Sequence, residues 1–174
     1  MTLHDKDIFP NVPNVTDVIW EKRSIGKVVI SNDADEIALI GNEVNDFFLL
    51  PGGGIEDGES ILDGTRRECR EETGCEIEIK NALGMTEDFR LRDSKHCISF
   101  SYSAKAISYA APAPTESEVG IRSYVKWFSL PDAIRLFTLQ EEKVRKGEVK
   151  FYNTCFNILR DSLFIRKAQN LMWE

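Results

Sequence analysis

Three glutamates, Glu68, Glu71 and Glu72, stand at i, i+3 and i+4 in a chain of 174 residues. In a helix that spacing projects all three carboxylates to one side. Like charges so placed repel by only about a few tenths of a kcal/mol per pair when solvated. One reading is therefore an exposed acidic face balanced by Arg66, Arg67 and Arg70. The other is a site for a hard cation. Mg²⁺ takes one or two carboxylates, keeps several waters and accepts phosphate oxygens in octahedral array. The preceding Pro51-Gly52-Gly53-Gly54 is a backbone able to approach a ligand closely and lend a carbonyl. A cation between these groups and a pyrophosphate would polarise phosphorus, lower the pKa of a water and neutralise the leaving phosphate. No covalent nucleophile is needed. The sequence offers no Ser–His or Cys–His arrangement, its only histidines being His4 and His96.

Such carboxylates need a rigid helix and a sheet beneath it. From Ser60 to Thr73 the apolar period is helical, with Ser60 and Asp63 in a capping-box arrangement and Gly74 at the C-terminal cap position. Ile61, Leu62, Thr65 and Cys69 form a narrow stripe that would face a sheet. Gly64 costs about 1 kcal/mol relative to Ala inside a helix, which points to close packing on a neighbour. Upstream, Asp17–Glu21, Ile25–Ile30, Glu36–Ile40 and Asp46–Leu50 read as strands, with a turn over Ser31–Asp35. Downstream, Cys75–Lys80, Ile98–Ala106 and Ser123–Phe128 alternate as strands. Leu130–Leu139 reads as a short helix opened by Pro131, and 149–172 as a long C-terminal helix with Tyr152, Cys155, Phe156, Leu159 and Leu163 on its apolar stripe. Strands with interspersed helices predict an α/β fold, a mixed sheet covered on both faces, in a single domain over 1–174 behind a polar lead of 1–16.

Composition narrows the partners. With 29 Asp and Glu against 22 Lys and Arg the formal net charge is −7, which disfavours duplex nucleic acid and membrane surfaces as partners. Hydrophobic residues at 42% and charged residues at 29% are ordinary for a globular domain, so a disordered or low-complexity chain is excluded. Cys69, Cys75, Cys97 and Cys155 include no C-x-x-C pair, so buried free thiols are expected in preference to bridges or a zinc site. Met1–Asp7 lacks the basic start and apolar run of a secretory signal, and the cytoplasm is the expected compartment.

From Gly53 the sequence reads G, five residues, Glu59, seven residues, then Arg67-Glu68-Cys69-Arg70-Glu71-Glu72-Thr73-Gly74-Cys75. This resembles the Nudix box of the Nudix hydrolases, MutT among them, with every fixed letter at its spacing. Cys69 and Cys75 replace the usual bulky aliphatics and are small buried hydrophobes. Phe48–Gly54 and Val125–Leu130 resemble the family's strand-to-loop entry and its later strand, so the resemblance covers about 17–140.

The resemblance implies an α/β/α sandwich that hydrolyses a pyrophosphate bond in a nucleoside diphosphate linked to another group, with Mg²⁺ or Mn²⁺. It implies Glu68 and Glu72 as principal metal ligands, Glu71 as a further ligand or water orienter, and the Gly53 carbonyl as an added donor. Glu59 and Arg67 would hold loop and helix in register. The general base varies within the family; Glu71, Glu72, or Glu116 and Glu118 of a later loop are the candidates, and the last two read equally as solvated charges. Residues 87–93 carry neither the proline of the ADP-ribose type nor the tyrosine of the dinucleoside polyphosphate type. Nucleoside triphosphates, oxidised nucleotides and nucleotide sugars stay open. Arg90, Arg92 and Phe48 could bind phosphate or base, or be two solvated arginines and a core aromatic. A non-hydrolytic nucleotide sensor is the main rival, ahead of an isomerase on the same fold or a purely structural protein. A homodimer would be common for the family.

Overall fold

A computed structural model describes residues 1–113 and 123–171. Its centre is β2 (Glu21–Ser31), where Ile25–Ser31 is buried without a break because both faces of the strand are covered. Successive side chains leave on opposite faces. Val28 and Ile30 pack with Ala38, Cys69, Cys75 and Ile77 on one side. Val29 packs with Leu39, Phe137, Phe164 and Ile165 on the other.

Six strands form one mixed sheet in the order β1-β4-β5-β2-β3-β6. They are β1 (Thr2–His4), β2, β3 (Glu36–Asn42), β4 (Cys75–Arg90), β5 (Lys95–Tyr109) and β6 (Ser123–Ser129). β5 runs parallel to β2 along its whole length and antiparallel to β4. Helix α1 (Ile61–Thr73) covers one face, while α2 (Leu130–Arg145) and α3 (Tyr152–Leu171) cover the other. The α/β/α sandwich and its long last helix are as expected.

β2 and β3 pair only at Ser31 and Ile37, then diverge, and the glycine loop fills the opening. Val28 N–H donates to Pro51 O (3.1 Å), Gly26 N–H to Gly53 O (3.0 Å) and Ile55 N–H to Ser24 O (3.0 Å). The loop is thus wedged into the sheet and held as part of it. This seat is tight. A Cβ on Gly26 would collide with the Thr65 hydroxyl of α1 and approach Ile55 Cδ1 to 3.3 Å. Gly26→Ala is expected to cost about 2–3 kcal/mol by overpacking and to lower Tm by roughly 5–10 °C in a melting experiment.

Several expected boundaries need correction. Of Asp17–Glu21 only Glu21 is in a strand, as the first residue of β2, for Asp17 adopts a left-handed conformation (φ 64°) and Ile19 is 91% exposed. Asp46–Leu50 makes only a bridge from Leu49 to Ile40. There the Gln140 side chain satisfies both Phe48 N–H (2.7 Å) and Phe48 C=O (2.9 Å), taking the place of a neighbouring strand. The polar lead is partly structured, because Leu3 is buried against Tyr152 and Phe156 and draws Thr2–His4 into the sheet beside Glu87–Phe89. β4 and β5 outrun their expected lengths, β4 through register shifts near Ile77, Asn81 and Gly84 that bend the strand. α2 continues past Leu139 to Arg145, with Phe137, Gln140 and Val144 all buried along it. On α1, Leu62 is exposed, and Gly64, Thr65, Cys69 and Thr73 form the buried stripe. On α3 burial extends around the helix to Arg160, Asp161 and Ser162.

Candidate active site

The site forms where α1 meets the wedged loop. Ser60 caps α1 by accepting Asp63 N–H at 3.1 Å, and Gly74 closes it at φ 70°. Gly64 permits the Glu59 carboxylate and Ile55 to lie against the helix backbone, since a Cβ there would come within 2.6 Å of each. That contact lets Glu59 reach Arg67. Arg67 Nε and Nη2 donate to the two Glu59 oxygens at 3.0 and 3.1 Å, a forked pair. Nη2 also donates to Gly54 O (3.0 Å), and Nη1 to Glu68 (3.0 Å) and Glu71 (3.2 Å). One planar cation therefore ties loop, turn and helix together, and its carboxylate partners raise its pKa. A lysine makes at most three such bonds and has no fork. Arg67→Lys should retain the far-UV spectrum yet reduce metal-dependent kcat/KM by about 10–100-fold, the usual range for outer partners of ligand groups.

Glu68 and Glu72 lie against consecutive glycines of the loop. Glu72 Oε2 accepts Gly52 N–H at 2.6 Å. The Glu68 carboxylate occupies the space that a Gly53 Cβ would take, its Cδ only 2.6 Å from that position. Burial raises the Glu68 pKa, opposed by its bond to Arg67. A partly desolvated carboxylate beside a second one is a place where a hard cation is favourable. Among the described residues no three Asp, Glu, His or Cys side chains converge as a ready-made cation cage. Two carboxylates fit Mg²⁺ or Mn²⁺ well, because such ions complete their shells with water and phosphate oxygens. The Gly53 carbonyl accepts Gly26 N–H and keeps one lone pair.

Beneath the loop stands a buried ionic frame. Lys27 Nζ donates to Leu50 O at 2.7 Å and also to Gly52 O. Asp161 accepts Leu50 N–H at 3.0 Å and Arg160 Nε at 2.8 Å. Burial lowers the Lys27 pKa, while Asp161, Glu72 and Glu68 oppose the shift. The backbone of Leu50 is thus held by charge on both sides as the chain enters Pro51.

Glu71 sits on the rim, bonded to Arg67, and its carbonyl receives Ala113 N–H at 2.9 Å. Glu116 and Glu118 lie outside the described residues. Arg90 is buried and not solvated: Asp88 takes its Nε at 2.5 Å, and Asn153 and Asn157 take its Nη groups at 3.1 and 2.9 Å. Arg92 is exposed and lies 4.4 Å over the Tyr152 ring. Phe48 packs edge-on against Tyr124 and Phe128. The residues that sequence reasoning missed are Lys27, Arg160 and Asp161. Lys27 had a signal, a lone charge within the apolar run Ile25–Ile30. Arg160 and Asp161 lie outside the apolar stripe of Tyr152, Cys155, Phe156, Leu159 and Leu163 and carry no such signal.

Residues 21–154 match the NUDIX domain family, and the chain belongs to it. It is 33% identical over 100 residues to "Uncharacterized Nudix hydrolase YvcI" of Bacillus subtilis (strain 168), covering 56% of this chain and 61% of that relative. It is 28% identical over 128 residues to ADP-ribose pyrophosphatase of Methanocaldococcus jannaschii, covering 72% of each. The crystal structure of the MutT protein of Methanosarcina mazei Go1 superposes with a TM-score of 0.56 at 18% identity, covering 89% of this chain and 99% of that one, and shares the fold.

Proposed function

We propose that this protein hydrolyses a pyrophosphate bond in a nucleoside diphosphate linked to a further group, with Mg²⁺ or Mn²⁺ held by Glu68 and Glu72. The observation that carries this reading is the pair of carboxylates set against Gly52 and Gly53 on a loop fixed from both sides. Family membership and relatives named for pyrophosphatase chemistry support it. When bound, the cation supplies charge neutralisation on the phosphates and a water of lowered pKa. The chain's own part is positional. Arg67 orients Glu68 and Glu71, and Glu59 fixes Arg67. A glutamate takes the proton of the attacking water; Glu71, Glu72, Glu116 and Glu118 are the candidates, and the base is the one whose Gln variant loses kcat while keeping its affinity for Mg²⁺.

The substrate is a nucleoside triphosphate, an oxidised nucleotide or a nucleotide sugar, with ADP-ribose kept on the panel because of the archaeal relative. All four thiols are free and buried, and among the described residues no helix is long and apolar enough to cross a membrane. The thiols support the cytoplasm as the compartment. Phosphate release from that panel in Mg²⁺ or Mn²⁺, abolished by EDTA, tests the proposal. No turnover of any member, with nucleotide binding retained, would replace the hydrolase by a sensor.

A further inference from the structure

On the α3 side of the glycine loop lies a second cavity, of about 230 Å³. Its walls carry Arg23, Lys27, Arg90, Lys95 and Arg160, an unusual concentration of cations in a chain of net charge −7. The topology explains how they meet. Arg23, Ile25 and Lys27 alternate along β2 and leave on one face. Lys95 starts β5 beside Glu21, where the β2–β5 register begins, and Arg160 comes down from α3. Part of this charge is already matched. Arg90 is paired with Asp88, and Arg160 Nε with Asp161. Lys27 is bonded to Leu50 O and Gly52 O, which leaves Arg23 and Lys95 as the remainder. Arg160 is 2% exposed and lines the cavity, and the hydrogen bond described for it runs from Nε to Asp161. Arg23 and Lys95 have no ion pair among the described residues.

Arg23 and Lys95 bring positive charge to this cavity beyond what the paired Arg90 and Arg160 carry, and an anion there would gain charge-assisted hydrogen bonds. Placement completes the case. A cleft lined by Glu56, Asp57, Glu59 and Glu68 adjoins this cavity, the two sharing Arg23 and Gly54. A substrate lying across Gly54 would present its cation-bound diphosphate to the carboxylates and whatever lies beyond it to the arginines.

We infer that the cavity bounded by Arg23, Arg90, Lys95 and Arg160 is an anion subsite that takes a phosphate of the substrate beyond the two held at Glu68 and Glu72. The substrate is then a polyphosphorylated molecule, and a neutral sugar does not fill this position. The extra phosphate comes either from a triphosphate or longer chain, or from a sugar diphosphate bearing a second phosphate elsewhere. The inference deepens the proposed function and is tested apart from it.

The test uses Arg23→Gln/Lys95→Gln, which leaves the buried Arg90 and Arg160 in place, with an unchanged far-UV spectrum as the folding control. In EDTA, inorganic tripolyphosphate should bind wild-type protein in calorimetry and lose at least about tenfold in affinity in the double variant, because charge-assisted bonds to phosphate are among the strong ones. In Mg²⁺, kcat/KM for a nucleoside triphosphate relative to a nucleotide sugar should fall at least about tenfold, through KM. A phosphorylated sugar diphosphate showing that fall in place of the triphosphate would assign the second source. Tripolyphosphate that fails to bind wild type, or binds both proteins alike, overturns the subsite. Binding lost in the variant while no compound is hydrolysed upholds the subsite and overturns the hydrolase.

Discussion

Glu72→Gln is expected to lower kcat by about 10³-fold or more while leaving the fold intact. The two parts of that expectation have separate causes. Glutamine has the length and shape of glutamate, and its amide oxygen still accepts Gly52 N–H, so the 2.6 Å contact that seats the loop on α1 survives. The charge does not survive. A carboxylate that helps hold a divalent cation against a pyrophosphate contributes several kcal/mol of transition-state stabilisation, and each 1.36 kcal/mol is about tenfold in rate. Steady-state kinetics at saturating Mg²⁺, beside a urea titration of both proteins, checks the pair. Near wild-type turnover in the variant would refute the metal-ligand role of Glu72. A collapse of stability with lost turnover would instead make Glu72 a structural strut, for which Gly52 N–H is its visible partner.

The helix carrying this chemistry was legible because its signals are local. Ser60, Asp63 and Gly74 mark its ends by capping chemistry, and the spacing of Glu59, Arg67, Glu68, Glu71 and Glu72 is fixed by one turn and one helix. The sheet centre was legible for a similar reason, since Ile25–Ile30 is an apolar run broken only by Lys27. The failures share a different cause, namely satisfaction of backbone groups by residues far away in sequence. Asp46–Leu50 has strand-like composition, yet Gln140, 92 residues distant, takes both polar groups of Phe48. Nothing local shows that. Asp17–Glu21 has the composition of a strand, but the left-handed Asp17 and the outward Ile19 keep all of it except Glu21 off the sheet. Arg160 and Asp161 lie outside the apolar stripe of α3, yet both are buried, and Asp161 binds Leu50 N–H, 111 residues away. Arg90 is buried in place of solvated for the same reason, its partners being Asp88 on the same strand and two asparagines of α3.

The buried frame beneath the loop gives the largest expected stability effect. Lys27→Met keeps most of the side-chain volume and removes the ammonium. Leu50 O and Gly52 O then lose their donor, and Asp161 and Glu72 lose a nearby cation. Replacing a whole buried pair by apolar groups is often harmless, but removing one member is not, because the other charge stays behind. The expected cost is about 3–5 kcal/mol, or a Tm lower by roughly 10 °C for a chain of this size. Below the melting point, activity should fall as well, since Leu50 O and Gly52 O anchor the loop against which both Glu68 and Glu72 rest. Differential scanning calorimetry with and without Mg²⁺ separates the terms. A cation held by Glu68 and Glu72 restores part of the positive charge and should raise Tm through binding to the native state. A Lys27→Met protein that melts within a degree of wild type would mean that Lys27 does not support the loop. The loop would then be positioned by Asp161, Glu72, Arg67 and its backbone bonds to β2.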